Sequence, residues 1–124
     1  MKYRLVDLLA CPICKDFPLM LKVFSQEDRY SPSNVRRCEL YCAYHQGMVQ
    51  DLPETRCIEC YRFEVTNGLL VCNKCNRWYP IIDDIPIMLP DDLRNRNRDL
   101  EFLRRWKDRI PSAILESGKP YGLS

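Results

Sequence analysis

The chain has 124 residues and a formal net charge of only +2. This length predicts one domain with a modest core, and the small charge excludes a strong general attraction to nucleic acid or membrane surfaces. No apolar run is long enough to cross a bilayer. Asp7 lies where a signal peptide needs apolar residues, so we expect a cytoplasmic protein. Eight cysteines in a reducing compartment indicate zinc ligands more than disulfides.

The first half of the chain predicts short elements around pairs of cysteines. Leucines in residues 5–9 have the spacing of one face of a short helix. Alternating apolar residues in 19–23 predict a strand, and the polar segment 25–37 predicts a loop. Two cysteines four residues apart in 38–45 are spaced for a helical turn.

The second half predicts strands followed by a helix. Asn67-Gly68 is the favoured two-residue hairpin turn and lies within the apolar segment 63–71. Another strand region follows over 78–89, with a turn at Asp83-Asp84. An amphipathic helix is predicted over 90–110, because acidic residues open it and a proline follows it.

The eight cysteines form four closely spaced pairs. Two thiolates two residues apart can bind one Zn²⁺, and another pair completes the tetrahedron. Four pairs can form two sites in a sequential, cross-braced or nested scheme, and the spacing between the second and third pairs slightly favours nesting. In the nested scheme the outer set is Cys11, Cys14, Cys72 and Cys75, and the inner set is Cys38, Cys42, Cys57 and Cys60.

The outer set predicts one structural zinc. For the inner set, a second zinc, disulfides and free thiols all remain open. His45 follows Cys42 at a spacing that a ligand can have, but a lone histidine is more often a solvated or core residue. A four-thiolate zinc site is closed, and the chain has no phosphate-binding loop or nucleophile motif, so the sequence predicts no catalysis.

The strand region 78–89 has apolar residues at both odd and even positions, so both faces of the strand must be buried against other residues. Its two prolines lack an N–H group and belong at a sheet edge or a strand start. These features predict a surface for another protein. Its residues are Tyr79, Pro80, Ile81, Ile85, Pro86, Ile87, Met88 and Leu89.

The predicted helix after residue 90 is rich in basic side chains. They suggest a stand-alone RNA-binding zinc ribbon, or a surface that helps a partner hold an RNA substrate. Acidic residues on the same helix favour instead a solvated face with ion pairs between residues four apart. The candidate RNA contacts are Arg94, Arg98, Arg104, Arg105 and Lys107.

Two stretches of the chain resemble a known family. Residues 2–15 contain Cys11-Pro12-Ile13-Cys14, and residues 69–90 contain Cys72-x-x-Cys75, Trp78-Tyr79-Pro80-Ile81 and Ile85-Pro86-x-Met88-Leu89-Pro90. In these motifs the chain resembles small zinc-ribbon subunits that bind and activate S-adenosylmethionine-dependent methyltransferases acting on tRNA, ribosomal RNA and translation termination factors. The tail from residue 102 is similar to archaeal-type members.

The resemblance implies the nested scheme, with zinc on the outer set. It also implies that residues 79–89 dock beside the methyltransferase sheet by strand addition and apolar packing. Catalysis and the S-adenosylmethionine site would then lie on the partner, in a heterodimer with one or several methyltransferases. The chain departs from the family at Asp84, where members commonly have glycine, and in the inner set, which is not a family hallmark.

We therefore predict a small α+β zinc-ribbon domain with a short antiparallel sheet and flanking helices. It comprises residues 1–24 and 62–124, and residues 25–61 form an insertion that carries the inner set. The predicted function is a non-catalytic activating and stabilising subunit of methyltransferases that modify tRNA, rRNA or a termination factor. RNA enters as the substrate of the complex, and no membrane is involved. The alternative is the stand-alone RNA-binding ribbon.

Overall fold

The structure, a computed structural model, describes residues 1–29 and 35–123 and combines helices with antiparallel strands. The strands are β1 (Met20–Asp28), β2 (Tyr41–Cys42), β3 (Gly47–Met48), β4 (Phe63–Val71), β5 (Trp78–Ile82) and β6 (Ile85–Pro86). The helices are α1 (Cys57–Arg62), α2 (Arg96–Arg105) and α3 (Ser112–Ser117), with 3₁₀ helices at Tyr3–Leu8, Val49–Asp51 and Asp91–Leu93. Four strands form one sheet in the order β1-β4-β5-β6, and β2 pairs with β3. The predicted α+β class is confirmed.

Both faces of the main sheet are covered by the protein's own elements. On one face, Tyr79 packs in a cluster with Val6 of the first 3₁₀ helix and with the cysteine turns. On the other face, Trp78 packs with Phe102 and Leu103 of α2. Because successive residues of a strand point to opposite faces, β5 must be apolar at both parities. The continuous apolar run therefore marks an interior strand.

The predicted hairpin at Asn67-Gly68 is wrong. Both residues lie inside β4, where they pair with Ser25 and Val23 of β1, next to an irregularity in the register. A Cβ atom at Gly68 would lie 2.6 Å from the carbonyl oxygen of Lys22, so glycine permits the close approach of the two backbones. The dipeptide serves strand packing here instead of a turn.

The two-residue hairpin turn is at Asp83-Asp84, between β5 and β6, as the sequence predicts. Their φ angles are 49° and 73°, and a turn with two positive φ angles matches the twist of paired strands. Asp84 accepts a hydrogen bond from Arg29 at 2.8 Å, and its N–H donates to the carbonyl of Thr66 at 3.0 Å. Aspartate thus forms the turn at the position where the resemblance implies glycine.

Three other expectations from the first half are corrected. The amino-terminal helix is a 3₁₀ helix that buries Tyr3, Val6 and Asp7, while Leu8 is 65% exposed. Residues 38–45 are not helical, because they contain β2 and a turn. Within the segment predicted as a loop, β1 continues to Asp28, and residues 30–34 lie outside the described residues. Because β1 pairs with β4 along its whole length, the insertion emerges from the far end of this ladder.

The helix predicted over 90–110 is shorter than expected. A 3₁₀ turn precedes it, and α2 begins after Asn95, whose side chain accepts a hydrogen bond from the N–H of Arg98. This arrangement is the usual N-cap interaction. No helix among the described residues is long and apolar enough to span a membrane.

A buried ion pair fastens α2 to the sheet. Arg94 donates to the Asp99 carboxylate at 2.8 Å and to the carbonyl of Trp78 at 2.7 Å. Its guanidinium lies 4.7 Å from the Trp78 ring centroid. Both charged side chains are almost fully buried, so loss of either would leave its partner unpaired away from water.

Candidate metal centre and partner surface

Two turns of the same backbone shape carry the outer set. In the first, the N–H of Lys15 donates to the carbonyl of Cys11, and in the second the N–H of Asn76 donates to the carbonyl of Cys72, both at 2.9 Å. Lys15 and Asn76 have φ angles of 65° and 61°. Each Cys-x-x-Cys turn thus ends in a left-handed residue that closes it.

The sheet brings these two turns together. Cys72 directly follows β4, and the last residue of β4, Val71, pairs with Met20 at the start of β1. The first turn lies just before β1 in the chain, so both turns reach the same end of the β1-β4 ladder. Backbone pairing therefore brings the two pairs of ligands to one place.

The four sulfurs of the outer set all lie within 4.8 Å of one another. The Cys11–Cys75 sulfur distance is 3.8 Å, and the Cys14–Cys72 distance is 3.2 Å. Four sulfurs at about 2.3 Å from a tetrahedral zinc are about 3.8 Å apart. The donor set therefore fits a four-thiolate zinc and leaves no ligand position open.

The thiols of the outer set differ in their proton affinity. Burial works against ionisation of Cys11, but the N–H of Cys14 and the hydroxyl of Tyr79 outweigh it and lower the Cys11 pKa to about 6. Burial raises the pKa of Cys72 to about 12. A bound cation would be needed to ionise Cys72 near neutral pH.

Tyr79 has a role that the sequence did not reveal. Its hydroxyl lies 3.2 Å from the Cys11 sulfur, and its side chain is fully buried. Pro80 and Ile81 are buried with it, between β4 and β6. The prediction that Tyr79, Pro80 and Ile81 contact a partner is therefore wrong, because the protein's own core covers them. The spacing of the apolar residues in 78–82 does not show whether the protein's own core or a partner protein buries them.

The remaining predicted partner residues lie at the open edge of the sheet. Strand β6 is the last strand, and its Ile85 is 64% exposed. Residues 86–89 are all partly exposed. We call residues 85–89 the apolar edge. It is the one part of the predicted surface that the fold leaves accessible.

The inner set is arranged more loosely. Cys42 and Cys60 are buried, Cys38 and Cys57 are half-buried, and none of the four forms a disulfide. Among the residues that the structure describes, only the outer set brings three or more ligand atoms within 4.8 Å of one another. Burial raises the pKa of Cys60 to about 12, and the neighbouring thiols Cys42, Cys38 and Cys57 add to the effect. The four inner cysteines are thus neighbours, without the close contacts of the outer set.

His45 contacts the backbone and an aromatic ring. Its Nε2 accepts a hydrogen bond from the N–H of Arg56 at 3.0 Å, and its ring packs edge-on against Tyr44. This histidine holds the backbone just before α1. The structure gives it a packing role, and among the described residues it belongs to no group of three or more ligand atoms within 4.8 Å of one another.

One predicted RNA contact is excluded by burial. Arg94 forms the interior ion pair with Asp99 and cannot reach a ligand outside. The other four predicted residues are exposed. The prediction of ion pairs between residues four apart along this helix is wrong, because within the described residues α2 has only the ion pair between Arg94 and Asp99. Those four are Arg98, Arg104, Arg105 and Lys107.

Comparison with known families decides the identity of this cysteine-bearing sheet. A family model described as "Trm112p-like protein" matches residues 2–84, more than half of the chain. The chain belongs to the Trm112p-like family. Members of this family are non-catalytic activator subunits that bind methyltransferases. The match includes both cysteine turns and β5, while α2 and α3 lie beyond it. No individual curated protein matches the chain. The predicted family is confirmed, and the archaeal-type assignment stays a prediction.

Proposed function

We propose that the chain is an activating and stabilising subunit for S-adenosylmethionine-dependent methyltransferases that modify tRNA, rRNA or a translation termination factor. Membership of the Trm112p-like family supports a methyltransferase as the partner. The observation that carries the proposal is the exposed apolar edge, which belongs to the same sheet as the outer set. The zinc keeps the sheet folded, and the sheet presents the edge.

The apolar edge suits strand addition. Among the described residues, no strand lies on the far side of β6. An open sheet edge can pair with a strand of another protein. Ile85 supplies exposed apolar area beside this edge. The N–H of Ile87 is already used by the carbonyl of Pro80 at 2.9 Å, which holds the segment against β5. The edge is therefore a fixed docking surface, and ordering it costs the complex little.

We place catalysis and the S-adenosylmethionine site on the partner. A closed four-thiolate zinc has no position for substrate, so the metal of this chain serves structure. Binding raises the partner's free energy of unfolding, and the increase grows with the logarithm of the ratio of the subunit concentration to the dissociation constant. Activation then follows if the methyltransferase is poorly folded or poorly soluble when its docking face is bare.

The exposed basic residues of the carboxy-terminal region support an RNA substrate. Arg98, Arg104 and Arg105 are exposed on α2, and Lys107 follows it. Positive side chains near phosphates release counterions, which makes binding dependent on salt. In the proposed complex these residues contact the RNA that the partner methylates. The same residues favour a second candidate function, a stand-alone RNA-binding ribbon.

Affinity capture of the tagged full chain from its own cells tests the proposal. We expect methyltransferases with an S-adenosylmethionine-binding domain to be captured near stoichiometrically, with or without nuclease. Capture of RNA and ribosomal material alone, removed by nuclease, would contradict it and favour the stand-alone ribbon.

A matched pair of variants locates the interface. Ile85→Asp changes an exposed isoleucine in the apolar edge, and Ile58→Asp changes one that is 72% exposed in the insertion. Both should fold and keep zinc in the outer set. We expect Ile85→Asp to lose the methyltransferase and Ile58→Asp to retain it. Equal capture by both variants would place the interface elsewhere.

A further inference from the structure

All four cysteines of the inner set line one small cavity in the insertion. Its volume is about 10 Å³, close to the minimum of about 10–15 Å³ that one water molecule needs. The cavity therefore has room for a single ion and excludes a small organic ligand. Four sulfur ligands around a space of this size are the donor set of a structural zinc.

Two elements supply two cysteines each. Cys38 and Cys42 flank the start of the β2-β3 ribbon, and Cys57 and Cys60 lie three residues apart in α1. Residues three apart in a helix lie on the same face. Both spacings fall in the range that structural zinc sites use. A single ion would thus join the ribbon to the helix.

The backbone around these ligands is held by contacts that need no metal. The Asp7 carboxylate accepts hydrogen bonds from the N–H groups of Glu39, Leu40 and Tyr41, at 3.0, 3.0 and 2.7 Å. All three lie between the first two cysteines of the inner set. This carboxylate fixes the Cys38–Cys42 segment to the 3₁₀ helix Tyr3–Leu8.

A second contact joins the β2-β3 pair of strands to α1. The Tyr44 hydroxyl donates to the Glu59 carboxylate at 2.7 Å. Tyr44 lies two residues after Cys42, and Glu59 lies between Cys57 and Cys60. The two ligand pairs are therefore held face to face across the cavity.

The charges that line the cavity are positive. Arg4, Arg36 and Arg56 contribute to its wall. A zinc ion with four thiolates carries a net charge of −2, so nearby guanidinium groups would stabilise it. The Nε of Arg4 is buried, and within the described part of the chain it has no hydrogen-bond acceptor. A thiolate sulfur would supply the acceptor, as outer partners do in metal sites.

We propose that the inner set binds one Zn²⁺ through Cys38, Cys42, Cys57 and Cys60, with Arg4 donating to a bound sulfur. The four thiols lose their protons to solvent as the ion binds. Because their sulfurs stand farther apart than those of the outer set, the ion draws the ribbon and α1 together. The insertion is thereby locked to the amino-terminal 3₁₀ helix. This site is independent of the methyltransferase proposal.

The zinc content of the full chain, purified under reducing conditions, tests the site. Native mass spectrometry should find two zinc ions per chain in the wild type and one in Cys57→Ser. His45→Ala should keep both, because the histidine is not a ligand. Near-ultraviolet circular dichroism of the two tryptophans, Trp78 and Trp106, which pack in the same cluster, checks that Cys57→Ser retains the folded sheet. One zinc in the wild type at excess metal, or two in Cys57→Ser, would overturn the proposal.

Two further measurements do not depend on a cysteine variant folding. After a chelator has removed zinc from the wild-type chain, added zinc should protect all four inner cysteines from alkylation by N-ethylmaleimide, and equal rates with and without added zinc would overturn the site. Arg4→Met keeps every ligand and should weaken zinc binding at the inner set about tenfold, the effect expected for an outer partner. The outer set should bind zinc as before. Unchanged affinity at the inner set in Arg4→Met would remove Arg4 from the proposal.

Discussion

The outer and inner cysteine sets contain the same four ligands in two close pairs, yet the fold holds them in different ways. The outer turns extend from the end of the β1-β4 ladder, and their sulfurs are within 4.8 Å of one another. Of the inner cysteines, Cys42 lies on the two-residue strand β2, Cys38 precedes this strand, and the other two lie on the six-residue helix α1, so side-chain contacts hold them. The comparison indicates that a backbone ladder preorganises a metal site, whereas a short insertion depends more on the metal itself.

The largest expected difference between the two sets is their effect on folding. Structural zinc contributes about 10–16 kcal/mol in small zinc domains, as much as the whole stability of a typical domain, about 5–15 kcal/mol. We therefore expect Cys72→Ser to abolish cooperative unfolding of the sheet. Cys57→Ser should leave it intact. Thermal melts followed by the near-ultraviolet circular dichroism of the two tryptophans measure both.

Two outcomes would contradict this expected difference between the outer and inner sets. A wild-type melt for Cys72→Ser would show that the outer set does not stabilise the sheet. Loss of the tryptophan signal in Cys57→Ser would show that the sheet depends on the insertion.

Asp7 gives the next largest effect, confined to the insertion. Asp7→Ala removes an acceptor of three backbone N–H groups. A hydrogen bond to a charged group contributes about 1.5–3 kcal/mol, so we expect a loss of about 3–5 kcal/mol in the stability of this segment. Hydrogen exchange at residues 39–41 should accelerate far more than in β4. Glu54→Ala, at an exposed acid in the same insertion, is the control and should change nothing. Equal acceleration in β4 would refute local anchoring.

The same carboxylate predicts a pH dependence. Burial alone would raise the pKa of Asp7, but the N–H groups of Tyr41, Glu39 and Leu40 outweigh it and lower the pKa. A lowered pKa in the folded state contributes stability above the unfolded value, about 3.9, which is lost as the pH falls through the folded pKa. The stability difference between wild type and Asp7→Asn should therefore shrink in acid. Release of zinc in acid affects both proteins equally, so it cancels when their free energies of unfolding are subtracted. A difference independent of pH would contradict the anchoring by charge.

His45 gives the smallest effect and separates packing from ligation. His45→Ala removes one hydrogen bond to the N–H of Arg56, which is worth about 1 kcal/mol. A denaturant melt should shift slightly, with full zinc content. Loss of one zinc ion from this variant would make His45 a ligand and overturn the four-cysteine assignment.

The sequence predicted the parts of the fold that depend on local chemistry. The Cys-x-x-Cys spacing identified each outer pair as half of a zinc site, and the resemblance to the family implied that the two outer pairs share one zinc. The structure brings their four sulfurs together. The Asp83-Asp84 turn followed from the tolerance of aspartate for a left-handed conformation. Each of these signals is contained within a few neighbouring residues of the chain, so it can be recognised without knowledge of tertiary contacts.

The errors arise where distant residues decide the structure. Gly68 permits close strand packing against Lys22, which local turn preference could not show. Tyr79 and Ile81 are buried because Val6 and other core residues cover them from elsewhere in the chain. Arg94 has the same polar character as its exposed neighbours, and only its contacts with Trp78 and Asp99 reveal that it is internal.

The activator function is tested most directly by a methyl-transfer assay. The captured methyltransferase is assayed with radiolabelled S-adenosylmethionine and RNA or termination factor, alone, with this chain, and with Ile85→Asp. The chain by itself should transfer no methyl groups, and its addition should raise the initial rate of the partner strongly, while Ile85→Asp should leave the rate at that of the partner alone. Methyl transfer by the isolated chain, or an equal rate with and without it, would contradict the account.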